Sequence, residues 1–125
     1  MQLNEIDFGA ARPIEGYGPG FFRLGGEALP APVIIAPGQT TPWQGYDDPA
    51  PLLALAGQLD VLFIGTGPDI APIPAPLRQT LEAAGLGVEI MSSPAACRTY
   101  NVLLSEGRRV AVALLPVGGT APDPG

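Results

Sequence analysis

The sequence predicts an α/β fold in which a small antiparallel β meander precedes a C-terminal βαβαβ unit. Three observations carry this. Short, nearly uninterrupted apolar runs at Asp60–Ile64, Val88–Met91 and Arg109–Leu115 have strand length and suit parallel strands covered on both faces. Between them lie two stretches with apolar residues at helical spacing, Pro74–Leu86 and Ser92–Gly107. Many of the 17 glycines and 16 prolines fall in the first half, where they divide aromatic and β-branched residues into segments too short for helices.

Residues 1–13 mix acidic and small residues without a period, which predicts a frayed arm or an edge strand. Ile14–Leu24 reads as strand, turn and strand, with the turn at Gly18-Pro19-Gly20, and Gly25-Gly26 makes a second turn. Val33-Ile34-Ile35, bounded by Pro32 and Pro37, is a short strand that completes the meander. Gly38–Pro49 is polar and predicts a loop holding Trp43, Tyr46 and Asp47-Asp48. Asp48-Pro49 signals a helix start, and Leu52, Leu53, Leu55 and Ala56 give about two turns before Gly57. The run at Asp60–Ile64 follows, and Gly65-Thr66-Gly67-Pro68-Asp69 turns the chain into the next helix. That helix carries Leu77, Leu81 and Ala84 on one face, with a glycine C-cap at Gly85 and a hydrophobic contact from Leu86.

The chain is organised around the helix after Val88–Met91. Ser93 is its expected cap, Pro94 its first helical residue and Gly107 its left-handed terminator. Ala96, Cys97, Tyr100, Leu103 and Leu104 share one arc, while Arg98, Asn101 and Ser105 share another. Crossovers between parallel strands put the Gly65-Thr66-Gly67 loop and the Ser92-Ser93-Pro94 helix start on one sheet edge. Their free amides, the positive helix end and Arg98 can hold a carboxylate or phosphate. The plainer reading is a tight strand exit beside an arginine that pairs with a nearby acid. The candidate ligand- or partner-binding residues are therefore Gly65, Thr66, Gly67, Ser93, Arg98, Thr99 and Asn101.

Other groups carry less chemistry. Cys97 lies in the first turn, where a helix dipole lowers a thiol pKa, yet it falls on the packing arc and the chain has no histidine to serve as its base. A buried structural thiol is expected, and Tyr100 reads as core. Asp47, Asp48 and Asp69 serve turns and caps, while Trp43 and Tyr46 either anchor a partner or pack over the sheet edge. No catalytic residue, metal-ligand set or cofactor is assigned.

With 125 residues, 46% hydrophobic and 14% charged, the chain suits one folded domain. A domain over 1–116 and a disordered tail over 117–125 are expected. A net charge of −6 with no lysine excludes the broad basic surface that nucleic acid needs. No apolar run approaches the roughly 20 residues of a membrane span, so no direct membrane insertion is expected. The acidic N-terminus lacks a leader's basic residues, and a single cysteine forms no internal disulfide. Those features predict a cytoplasmic protein. They leave the oligomeric state open.

Ile64-Gly65-Thr66-Gly67, Gly85-Leu86-Gly87-Val88, Ala95–Asn101 and Glu106-Gly107-Arg108-Arg109, with Tyr17-Gly18-Pro19-Gly20-Phe21 and the Trp43 loop, together resemble the Mth938-like domain family. The resemblance spans nearly the whole chain apart from its tail. It implies a single three-layer domain with a mixed central sheet, and the lysine-free, Gly- and Pro-rich composition suits a bacterial source. Mitochondrial members of that family act as complex I assembly factors rather than enzymes. The resemblance thus implies a non-enzymatic assembly factor or adaptor whose partner is a protein, such as a subunit of a respiratory or other membrane complex. The alternative is a small-molecule or anion-binding protein or enzyme that uses the crevice between Gly65-Thr66-Gly67 and the Arg98 helix start.

Overall fold

The computed structural model describes residues 12–118. Of the arm expected over residues 1–13 only Arg12 and Pro13 fall within that range, and most of the expected tail falls outside it. The described chain begins with three antiparallel strands, β1 (Ile14–Gly18), β2 (Phe21–Leu24) and β3 (Glu27–Pro30), paired in sequence order as a small sheet. A hairpin of β4 (Val33–Ala36) and β5 (Gln39–Pro42) leads to α1 (Ala50–Leu53). Then come β6 (Val61–Gly65), α2 (Ala75–Ala83), β7 (Val88–Met91), α3 (Ser93–Ser105) and β8 (Val110–Leu114).

The central sheet has the order β5-β4-β8-β6-β7. β6 is parallel to β7 and to β8, as the strand-helix-strand reading requires, while β4 runs antiparallel to β8 and makes the sheet mixed. The β4–β5 hairpin corrects the sequence reading in two ways. Val33–Ile35 leaves the meander and joins the main sheet. Gln39–Pro42, read as loop, is an edge strand whose exposed Gln, Thr and Pro side chains carry no apolar alternation. The helix after Pro49 is also shorter than expected, a single turn followed by tight turns through Gln58.

The pleat sorts each buried strand between two cores. Ile34, Leu62, Ile64, Ala111 and Ala113 face α1 and α2, where they meet Trp43, Leu52, Leu77 and Leu81. Val33, Ile35, Phe63, Val110, Val112 and Leu114 face α3 and the small sheet, where they meet Ala96, Cys97, Tyr100 and Phe22. Three layers result, with the mixed sheet in the middle. The alanines of β8 let the α1–α2 layer approach closely, while valine and leucine fill the other side. Trp43, 2% exposed, lies in the first core with Nε1 donating to the Asp48 carbonyl at 3.0 Å, so it closes the sheet edge instead of offering itself to a partner.

Both longer helices end as their glycines predict. Gly85 (φ 90°) and Gly107 (φ 77°) adopt the left-handed conformation, and Leu86 N–H and Arg108 N–H each donate back to the carbonyl five residues earlier. Val117, assigned to the tail by the sequence, packs partly buried against the α3 side of the sheet.

Candidate functional site

The parallel strands β6 and β7 end side by side at Gly65 and Met91. Two adjacent serines meet the chain there. Ser92, not Ser93, is the N-cap of α3, its hydroxyl accepting from Ala95 N–H at 3.3 Å, and Pro94 occupies the second helical position. That frees Ser93 for a different task.

Ser93 is 0% exposed. Its hydroxyl accepts from Gly67 N–H at 2.9 Å and donates to the Leu115 carbonyl at 2.7 Å, while its N–H donates to the Gly67 carbonyl at 2.7 Å. Thr66 N–H donates to the Met91 carbonyl at 2.9 Å, and Leu115 N–H to the Gly65 carbonyl at 3.0 Å. These bonds stitch the ends of β6, β7 and β8 to the start of α3. Gly65 allows the closeness, since a Cβ there would meet Ser93 Oγ at 2.7 Å and both Ser93 Cα and Leu114 Cδ2 at 2.8 Å.

Most of the amides expected to be free in this crevice are therefore spent on the protein itself. Thr66, Gly67, Ser93, Ala95 and Ala96 all donate internally, and Pro68 and Pro94 have no N–H to offer. Arg98 is exposed and makes no hydrogen bond or ion pair to this loop among the described residues. Thr99 is half-buried. Asn101 acts further along α3, where its Oδ1 accepts from Ile14 N–H at 2.8 Å and its Nδ2 donates to the Ile14 carbonyl at 2.9 Å. The structure thus joins Gly65, Thr66, Gly67 and Ser93 in one latch and gives Asn101 to the docking of β1.

Nucleophilic and acid-base chemistry is poorly served here. Burial pushes the Cys97 thiol up to about 12, against a smaller lowering by Arg98, and pushes the Tyr100 phenol up to about 12. Both stay protonated near neutral pH. Cys97, 5% exposed, and Tyr100, 1% exposed, are the core residues that the helix arc predicted.

What the latch does present is the segment that leaves it. The Thr66 hydroxyl donates to the Asp69 carbonyl at 2.7 Å and accepts from Ala71 N–H at 3.0 Å, folding residues 66–71 into a compact lobe. Ile73 anchors the far side of this lobe in the α1–α2 core. Between these anchors Ile70 projects with 67% of its surface exposed, beside exposed Pro68, Pro72 and Pro74. Sequence reasoning treated this segment as a passage between elements. The signal it held was an isolated isoleucine bracketed by prolines, which fix φ and stiffen a display.

Comparison with known proteins agrees with this architecture. The family described as protein of unknown function (DUF498/DUF598) matches residues 14–115. An uncharacterized protein of Rhodobacter capsulatus is 52% identical over 98% of both chains. The NADH dehydrogenase [ubiquinone] 1 alpha subcomplex assembly factor 3 of Danio rerio is 30% identical over 93% of this chain and 71% of its own length. The solution structure of a Mth938-like domain from Bordetella pertussis superimposes with a TM-score of 0.74 at 30% identity, covering 97% of this chain and 96% of that one.

Proposed function

This chain belongs to the DUF498/DUF598 family, and on that premise we propose that it works as a non-enzymatic assembly factor or adaptor for a subunit of a respiratory or other membrane complex. The Ile70 lobe is the observation that carries this reading. A large aliphatic side chain in water contributes nothing to the fold, whereas the same side chain buried against a partner is worth about 1.5–3 kcal/mol. Thr66, Ile73 and the flanking prolines order the lobe beforehand, so little conformational entropy remains to be lost on docking. Gly65, Thr66, Gly67 and Ser93 form the base of the proposed contact, and Arg98 and Thr99, in the first two turns of α3, form its polar margin.

The name of the zebrafish relative makes the NADH dehydrogenase complex the first client to test. No helix among the described residues is long and apolar enough to cross a membrane. We place the protein in the bacterial cytoplasm, meeting a membrane complex through protein contact. The anion-site alternative has less behind it because most of the amides it needs, those of Thr66, Gly67, Ser93, Ala95 and Ala96, are already bonded within the protein.

The test is a deletion strain examined by native electrophoresis for assembled NADH dehydrogenase complex. Assembly should fall several-fold, recover with the wild-type gene and stay low with Ile70→Asp. That variant should melt like the wild type, since an exposed substitution changes stability by no more than about 0.5 kcal/mol. Full assembly in the deletion strain refutes this client, and full rescue by Ile70→Asp refutes the lobe.

A further inference from the structure

A cavity of about 240 Å³ opens at the other edge of the central sheet, where β6 and β8 begin. Its floor is apolar, made by buried Ala36, Leu55 and Val110 with half-buried Leu59, and its rim carries Arg108 and Arg109. One carboxylate faces the two guanidinium groups. Asp60 Oδ1 holds Arg109 Nη2 at 2.9 Å and its Oδ2 accepts from Arg109 N–H at 3.2 Å, whereas Arg108 Nε stands 3.8 Å from Oδ2. Arg108 makes no side-chain hydrogen bond among the described residues. Two cations and one anion leave a positive surplus at the mouth of an apolar pocket, on a chain whose net charge is −6.

Such a site selects an amphiphilic anion. A neutral apolar ligand would leave the guanidinium unused, and a fully polar anion would leave the floor wet. Arg109 is hydrogen-bonded to Asp60, while Arg108 is only loosely ion-paired with it at 3.8 Å, so the incoming carboxylate belongs on Arg108, whose planar fork offers paired N–H donors. The volume lies below the roughly 300–1,000 Å³ of pockets for drug-sized molecules, which limits the tail to a few carbons. We infer that this cavity binds a small monocarboxylate with a short apolar tail, the tail on Leu55, Leu59 and Val110 and the carboxylate on Arg108. The site lies a strand's length, roughly 16 Å, from the Ile70 lobe's edge and does not depend on the adaptor reading.

Hexanoate titrated into the full chain at low salt, followed by amide NMR shifts, tests the inference, with acetate and 1-hexanol as probes of charge and tail alone. Hexanoate should give saturable shifts at Leu55, Leu59 and Val110, and both controls should bind more weakly. Arg108→Gln should weaken hexanoate about three- to tenfold with an unchanged melting temperature, the loss expected for one hydrogen-bonded contact at a solvent-exposed rim. No saturable shift, equal binding of either control, or undiminished binding to the Arg108→Gln protein would overturn it.

Discussion

Ser93 sits with no exposed surface, and its hydroxyl both accepts from Gly67 and donates to Leu115. Removing it leaves the buried Gly67 N–H and the part-buried Leu115 carbonyl without that partner, and an unpaired buried group costs about 1–3 kcal/mol. Ser93→Ala should therefore lower the unfolding free energy obtained from urea titration by at least the smaller of those amounts. A change below about 0.5 kcal/mol would show that solvent replaces the hydroxyl in the latch. Cys97 and Tyr100 make a second residue-scale prediction. Burial raises both pKa values to about 12 in the folded protein, from 9.0 and 10.0. Above pH about 9 the unfolded chain sheds protons that the native state keeps, so their stabilising contribution is complete below that pH and declines toward pH 12. Urea midpoints should fall between those limits, and Cys97 should label with thiol reagents far more slowly in the native protein than in urea. A flat profile, or equally fast labelling, would contradict the burial. Both residues were legible in the sequence because the 100° arc of α3 places them with Ala96 and Leu103. The cap was misplaced by one residue because Ser92 and Ser93 both satisfy the same signal ahead of Pro94. Only the position of the chain relative to Leu115 tells which serine turns inward.

Among the elements, β6 and β8 were readable because strands covered on both faces are apolar along their length, and β7, an edge strand with an exposed Glu89, because Val88, Ile90 and Met91 form a short apolar run between two helices. β5 was not, because an edge strand of exposed Gln, Thr and Pro has the composition of a loop. The partner of β4 was hidden for another reason. Pairing Val33–Ile35 with Val112–Leu114 is a contact between distant parts of the chain, and no local pattern records it. Asn101 illustrates the same limit, since its place on the polar arc suggested a ligand contact while its amide in fact clamps Ile14 at both N–H and carbonyl. This side chain does for β1 what a neighbouring strand would do. Asn101→Ala should cost about 1–3 kcal/mol by stranding the two Ile14 groups, and hydrogen exchange should quicken in β1–β3 more than in β6 and β8. Uniform quickening across both sheets would mean that the clamp is not specific to the small sheet.

At the scale of the whole molecule, the two cores are separate in space but not in sequence. β4, β6 and β8 each give alternate residues to both, so Ile34 and Ile35, Ile64 and Phe63, Ala113 and Leu114 are pairs of neighbours that face opposite layers. Backbone displacement that frees one core therefore removes support from the other. A protein assembled from stacked independent layers would melt in stages; this one should unfold in a single transition. Trp43 reports the α1–α2 side by fluorescence, and Cys97 reports the α3 side through its protection from thiol labelling in pulse experiments at each urea concentration. Far-UV circular dichroism reports the helices of both sides. The three curves should share one midpoint and one slope, because any partly folded form with one layer removed exposes a full face of the central sheet to water. An earlier loss of Cys97 protection, while Trp43 fluorescence stays native, would show that α3 and the small sheet detach as a unit of their own. The shared-strand account of cooperativity would then fail.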